Sequence, residues 1–88
     1  MLPNQFHANS MSELLNLGQM RDISGLEFMQ GILDGRYPSP PIGKTLGYYL
    51  SEVAEGRVVF SGAPNFDAFN PMGTVHGGWY GTLLDSAM

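Results

Sequence analysis

The stretch Asn70–Met88, NPMGTVHGGWYGTLLDSAM, decides how this chain is read. From His76 onward the residues are mostly apolar or small, and Trp79, Tyr80, Leu83, Leu84, Ala87 and Met88 fall on every side of a helical wheel, the pattern of a buried helix over 76–88. Gly77, Gly78 and Gly81 each cost about 1 kcal/mol of helix propensity relative to Ala. A compensating close approach of a sheet or a ligand to the backbone is therefore expected.

The first turn of a helix leaves N–H groups without internal partners, and the helix dipole adds positive charge there. Gly77 and Gly78 would leave those donors accessible. Donors so placed hold an oxygen that becomes negative as a carbonyl is attacked, and each is worth about 3 kcal/mol of barrier. Asp85 is the single acid on this segment. A buried carboxylate is a candidate general base or nucleophile, and equally a structural group bonded to nearby backbone. Asp85 lies eight residues beyond Gly77, which is about 800° of rotation and about 12 Å of rise. One helix cannot aim both groups at one carbonyl. Cooperation would need a second copy, antiparallel across a two-fold axis.

Upstream, "SGLEFMQGILDG" places Ser24 and Glu27 in S-x-x-E spacing, with Leu26, Met29, Ile32 and Leu33 at helical intervals and Gly35 at the C-cap position. A helix is predicted over about 24–34. "RYPSPPIGK" carries Pro38, Pro40 and Pro41 and reads as an extended connector. "TLGYYLSEVAEGRVVFSGAP" predicts a hairpin, with strands at about 45–54 and 57–63 around a Glu55-Gly56 turn. Leu46, Tyr48, Leu50 and Val53 do not alternate, which leaves its inward face unassigned. Residues 1–22 show no sustained period and read as a loosely ordered leader, with His7 given no role and Leu14, Leu15 and Leu17 able to form a short amphipathic turn.

The 88 residues hold at most one small domain, and a formal charge of −4 with no Lys/Arg cluster argues against a nucleic-acid surface or an anionic membrane. No apolar run reaches the roughly 18 residues of a membrane span, and no signal sequence is evident, so a cytoplasmic location is the expectation. There is no Cys, and His7 and His76 lie far apart, which argues against a metal site. Neither a G-x-S-x-G elbow nor a phosphate-binding glycine loop is present.

"NPMGTVHGGWYGTLLDSAM" resembles the central segment of hotdog-fold thioesterases of the PaaI type: Asn, a few residues, Gly, then His-Gly-Gly, with an acid eight residues after the first Gly of that pair. The upstream helix, Pro-rich connector and hairpin look like the N-terminal part of the same domain, so the similarity covers about 24–88. The resemblance implies an α+β hotdog fold, an antiparallel sheet wrapped around a central helix. It also implies hydrolysis of an acyl-CoA thioester without metal or other cofactor, in a homodimer or a dimer of dimers. Asp85 matches the acid that activates water or attacks the thioester, and Gly77 matches the amide that polarises its carbonyl. Asn70 and His76 match the pair that positions substrate and leaving sulfur, and Gly78 is a further substrate-binding candidate.

Blander roles stand beside these: Asn70 as a turn former before Pro71, His76 as a helix-start residue, Trp79 and Tyr80 as core or dimer contacts, and Tyr48 and Tyr49 as ordinary strand residues. Hotdog domains have five or six strands, most of them after the helix, whereas this chain ends inside it. The expectation is an N-terminal portion of the domain, from a truncated reading frame or starting at Met1 or Met11, that is poorly folded or associates. A non-catalytic acyl-CoA-binding or regulatory hotdog module is the alternative, and an inert product a third.

Overall fold

Ser24 fixes the start of the longest upstream helix. Its hydroxyl accepts the Glu27 amide at 3.0 Å, and α2 runs Gly25–Asp34. Only this half of the S-x-x-E capping box forms, because Glu27 does not return a bond to the Ser24 amide. The helix ends at Gly35, whose φ of 88° is left-handed backbone that a side chain would strain. The computed structural model covers residues 1–88.

Around α2 the order is a single 3-10 turn at Met11–Glu13, α1 (Leu17–Arg21), α2, α3 (Pro41–Leu46), β1 (Tyr48–Ala54), β2 (Arg57–Gly62), a 3-10 turn at Phe66–Ala68 and α4 (Gly77–Ala87). This is an α+β arrangement on one two-stranded antiparallel sheet. No helix is long and apolar enough to cross a membrane.

The leader is more ordered than its sequence suggests. Asn16 Oδ1 accepts the Gln19 amide at 2.8 Å and Gln19 Oε1 accepts the Asn16 amide at 2.9 Å, a complete capping box that starts α1. Further upstream, the chain pairs with the connector: the Ser39 amide donates to Phe6 O at 2.7 Å and the Ala8 amide to Ser39 O at 2.9 Å. Gln5 and Ala8 are buried as a result, with Gln5 Nε2 donating to the Leu50 carbonyl at 2.7 Å.

The connector differs from expectation too. Its extended part stops at Pro40, and Pro41 opens α3, which takes residues 45 and 46 from the predicted strand. Proline is tolerated there because the first helical N–H has no intrahelical acceptor in any case.

In the hairpin Tyr48 pairs with Gly62, Leu50 with Phe60 and Ala54 with Arg57, and the register slips between Leu50 and Glu52. Ser51 is the extra residue of this bulge. Its hydroxyl donates to Val59 O at 3.0 Å and lies 2.7 Å from Ser61 Oγ. The bulge explains the broken alternation: one inserted residue moves the inward phase from even positions, Tyr48 and Leu50, to odd ones such as Val53.

Tyr48 and Leu50 form the sealed centre of the core together with Ile32 from α2, Ala8 and Trp79. Tyr48 is thus a strand residue, as expected, and one that faces the core, where its ring meets Phe60 edge-on at 6.3 Å. Two polar clamps hold α4: Trp79 Nε1 donates to Leu46 O at the end of α3 at 2.6 Å, and Ser86 Oγ lies 2.8 Å from Tyr48 Oη on the hairpin. The expectation of a helix buried on all sides is corrected: only Trp79 is buried, while Tyr80, Leu84 and Met88 are 52%, 62% and 100% exposed. Two strands offer one face to a helix, and the rest of its apolar surface has nothing in this chain to cover it.

Candidate functional site

The approach to α4 is built by Asn70. Its Oδ1 accepts the amides of Met72 at 3.0 Å and Thr74 at 3.2 Å, and its Nδ2 donates to Thr74 Oγ1 at 2.8 Å. The Asn70 amide bonds Thr74 O, and Phe69 and Val75 form an isolated antiparallel bridge across the loop neck. The Asn70 side chain is therefore engaged as the loop's organiser, the turn-forming role of Asx residues. These bonds engage both polar atoms of the side chain and leave one Nδ2 hydrogen without a partner. Thr74 enters the site description through the same bonds, although the sequence reading gave it no part.

The loop delivers His76 to the N-cap of α4, where its amide donates to Ala68 O at 2.8 Å. Its Nδ1 accepts the Gly78 amide at 2.8 Å. An accepting Nδ1 carries no proton, so the neutral ring keeps its hydrogen on Nε2, which can donate outward. The same contact occupies Gly78: a donor already given to His76 is not offered to a ligand. Gly77 is different. Its amide has no acceptor within the chain, it is exposed, and a Cβ built there would meet nothing within 4 Å. Of the two glycine amides, one is free.

Asp85 lies near the other end of α4, exposed, with no hydrogen bond or ion pair to any residue of the chain. It is not the buried carboxylate that an all-apolar helix suggested. Gly77 and Asp85 share one straight element and are separated by about 12 Å of rise. A single chain does not bring them together. Phe66 and Met72, strongly exposed on the loop before the helix, add apolar surface to the His76 end. No group of His, Asp and Glu residues is placed to hold a metal ion.

Chemically, the start of α4 offers an unpaired amide, the positive end of an eleven-residue helix and an imidazole N–H. That set favours an oxygen carrying negative charge, and no carboxylate of this chain stands beside it. No family model matches this chain, and neither curated proteins nor solved structures yield a match.

Proposed function

We propose that this chain is the N-terminal part of a hotdog-fold acyl-CoA thioesterase whose active site forms between two copies. The reading rests on one observation: a free, uncovered Gly77 amide at the positive end of α4, on a helix whose only acid, Asp85, is exposed and unpartnered eight residues away. Two such helices placed antiparallel would set the Asp85 carboxylate of one copy beside the Gly77 amide of the other, and would cover Tyr80 and Leu84 as they do so.

In this mechanism the thioester oxygen accepts from Gly77 N–H. Asp85 of the second copy takes a proton from water as the water oxygen bonds to the carbonyl carbon. The oxygen's charge is held by the amide and the helix dipole, then collapses to break the carbon–sulfur bond. The thiolate departs past His76, whose Nε2–H is the donor available to it. Attack by the Asp85 carboxylate itself, through an anhydride that water then opens, uses the same placement.

The exposure of Asp85 favours one other reading, a module that binds acyl-CoA at the same helix start without hydrolysing it. Asp85→Ala separates the two. Free thiol released from a panel of alkyl and aryl acyl-CoAs should fall to background in the variant while affinity for a non-hydrolysable thioether analogue is kept. Hydrolysis at the parental rate in a folded Asp85→Ala protein refutes the catalytic reading.

A further inference from the structure

Between α2, the Pro38–Pro40 connector and the hairpin lies a cavity of about 250 Å³. Phe28, Met29 and Ile32 supply one wall and Leu50 and Phe60 the opposite one. None of Asn70, His76, Gly77, Gly78 and Asp85 lines it. An apolar void of roughly 150 Å³ in another protein stays dry and takes up benzene. The space here is larger and partly open to solvent, wide enough for one aromatic ring with a small substituent. Filling it would take apolar wall surface out of water, in a core that seals only nine residues from solvent. Occupancy would be favourable.

The chemistry of the walls narrows the occupant. No Asp, Glu, Lys or Arg lines the cavity, so a carboxylate or ammonium entering it would lose hydration without a counter-charge. His7 Nδ1 is engaged with the Pro40 carbonyl at 3.1 Å, and the Tyr48 and Ser86 hydroxyls are paired with each other. Ser39 is the buried exception; His7 Nε2 and the Tyr49 hydroxyl also lack a partner, but both belong to half-buried residues and are open to water. Ser39 lines the cavity and is 3% exposed, and both its backbone polar groups are committed to Phe6 and Ala8, yet its hydroxyl has no partner. A buried hydroxyl without a bond is unfavourable, and a rotation about one bond can redirect it to a ligand oxygen.

We propose that this cavity is a binding site for a small neutral aromatic molecule carrying one hydroxyl group, held by apolar walls and anchored on Ser39. The inference stands apart from the thioester reading, since it uses none of the same residues and is tested by binding alone. Phenol, benzene and benzoate are titrated into the 88-residue protein and followed by NMR shifts of the Ile32 methyls and the Tyr48 ring. Phenol should bind saturably, about five- to tenfold tighter than benzene, the worth of one hydrogen bond, and benzoate at least about tenfold weaker than phenol. Ser39→Ala should abolish the preference for phenol over benzene. Met29→Trp and Leu14→Trp, which enlarge lining side chains from α2 and from the leader, should each weaken phenol by about tenfold or more while the remaining spectrum stays native. Absence of saturable phenol binding, an undiminished phenol preference in Ser39→Ala, tighter binding of benzoate, or parental affinity in both folded filling variants would overturn the proposal.

Discussion

Replacing Gly77 by proline deletes a single atom of chemistry, the amide hydrogen at the start of α4. The surroundings make this substitution unusually clean. Gly77 is the first helical residue, where the fixed φ of proline suits the helix and the N–H has no intrahelical acceptor. His76, which must be extended if a proline follows it, already has φ −63° and ψ 136°. A Cβ at position 77 finds open space, and the bond from Gly78 to His76 Nδ1 does not involve the residue's own nitrogen. Stability should therefore hold or rise by about 0.4–1 kcal/mol, because the unfolded chain loses freedom that glycine gave it. If the Gly77 amide holds the thioester oxygen as charge develops, its loss should raise the barrier by about 3–4 kcal/mol, a fall of 10²–10³ in turnover. The assay pairs thiol release at saturating acyl-CoA with a urea melt of the same preparation. A stable Gly77→Pro protein that turns over at the parental rate would refute the assignment of this amide. Loss of fold instead would refute the geometry from which the substitution was chosen.

The two-copy site can be checked by mixing. Gly77→Pro and Asp85→Ala are each inactive in the proposed scheme, but equal amounts allowed to exchange should regain about one-quarter of parental activity, because half of the dimers are mixed and each has one intact site. A mixture that stays inactive despite demonstrated exchange would place both groups in one chain or in no site at all. Gly31→Ala puts a Cβ into the ring of Tyr37, which lies across the last turns of α2 near Phe28, and should destabilise the fold by about 1–3 kcal/mol in a urea titration. Pairing it with Tyr37→Ala should recover part of that loss; a neutral Gly31→Ala would show that the ring is not packed there. Asp34 gives a pH test. The hydrogen bond from Arg36 Nε at 3.0 Å holds its carboxyl below the ordinary value of 3.8. The folded state therefore binds this proton less readily than the unfolded one, so the contribution is complete above pH 3.8 and fades as the pH falls through the lower folded value. Both side chains are exposed and the effect on stability is small, so the measurement is the carboxyl carbon shift against pH. The midpoint should rise in Arg36→Gln, and an unmoved midpoint would remove Arg36 as the cause.

Features that close within a few residues were legible in the sequence. Ser24 and Gly35 bound α2 because a cap needs only its own turn, and Glu55-Gly56 reverses the hairpin because Gly56 tolerates a φ of 71°. Asn16 and Gln19 carried an equally local signal, a capping box in plain view, which the weak apolar pattern around it obscured. His76-Gly-Gly announced a helix start, and eight residues of helix already kept Asp85 out of reach of Gly77.

Tertiary structure decided what depends on distant partners. Ser51 became a bulge through Val59 and Ser61 across the sheet, and the leader was ordered by Ser39, thirty-odd positions away, which no local period encodes. The direction of one imidazole separated two adjacent glycines, committing the amide of Gly78 and leaving that of Gly77 open. Burial of α4 was decided at the same level: apolar residues state what a helix can bury, whereas the area facing it determines what is buried, and beside a two-stranded sheet only Trp79 is sealed from solvent.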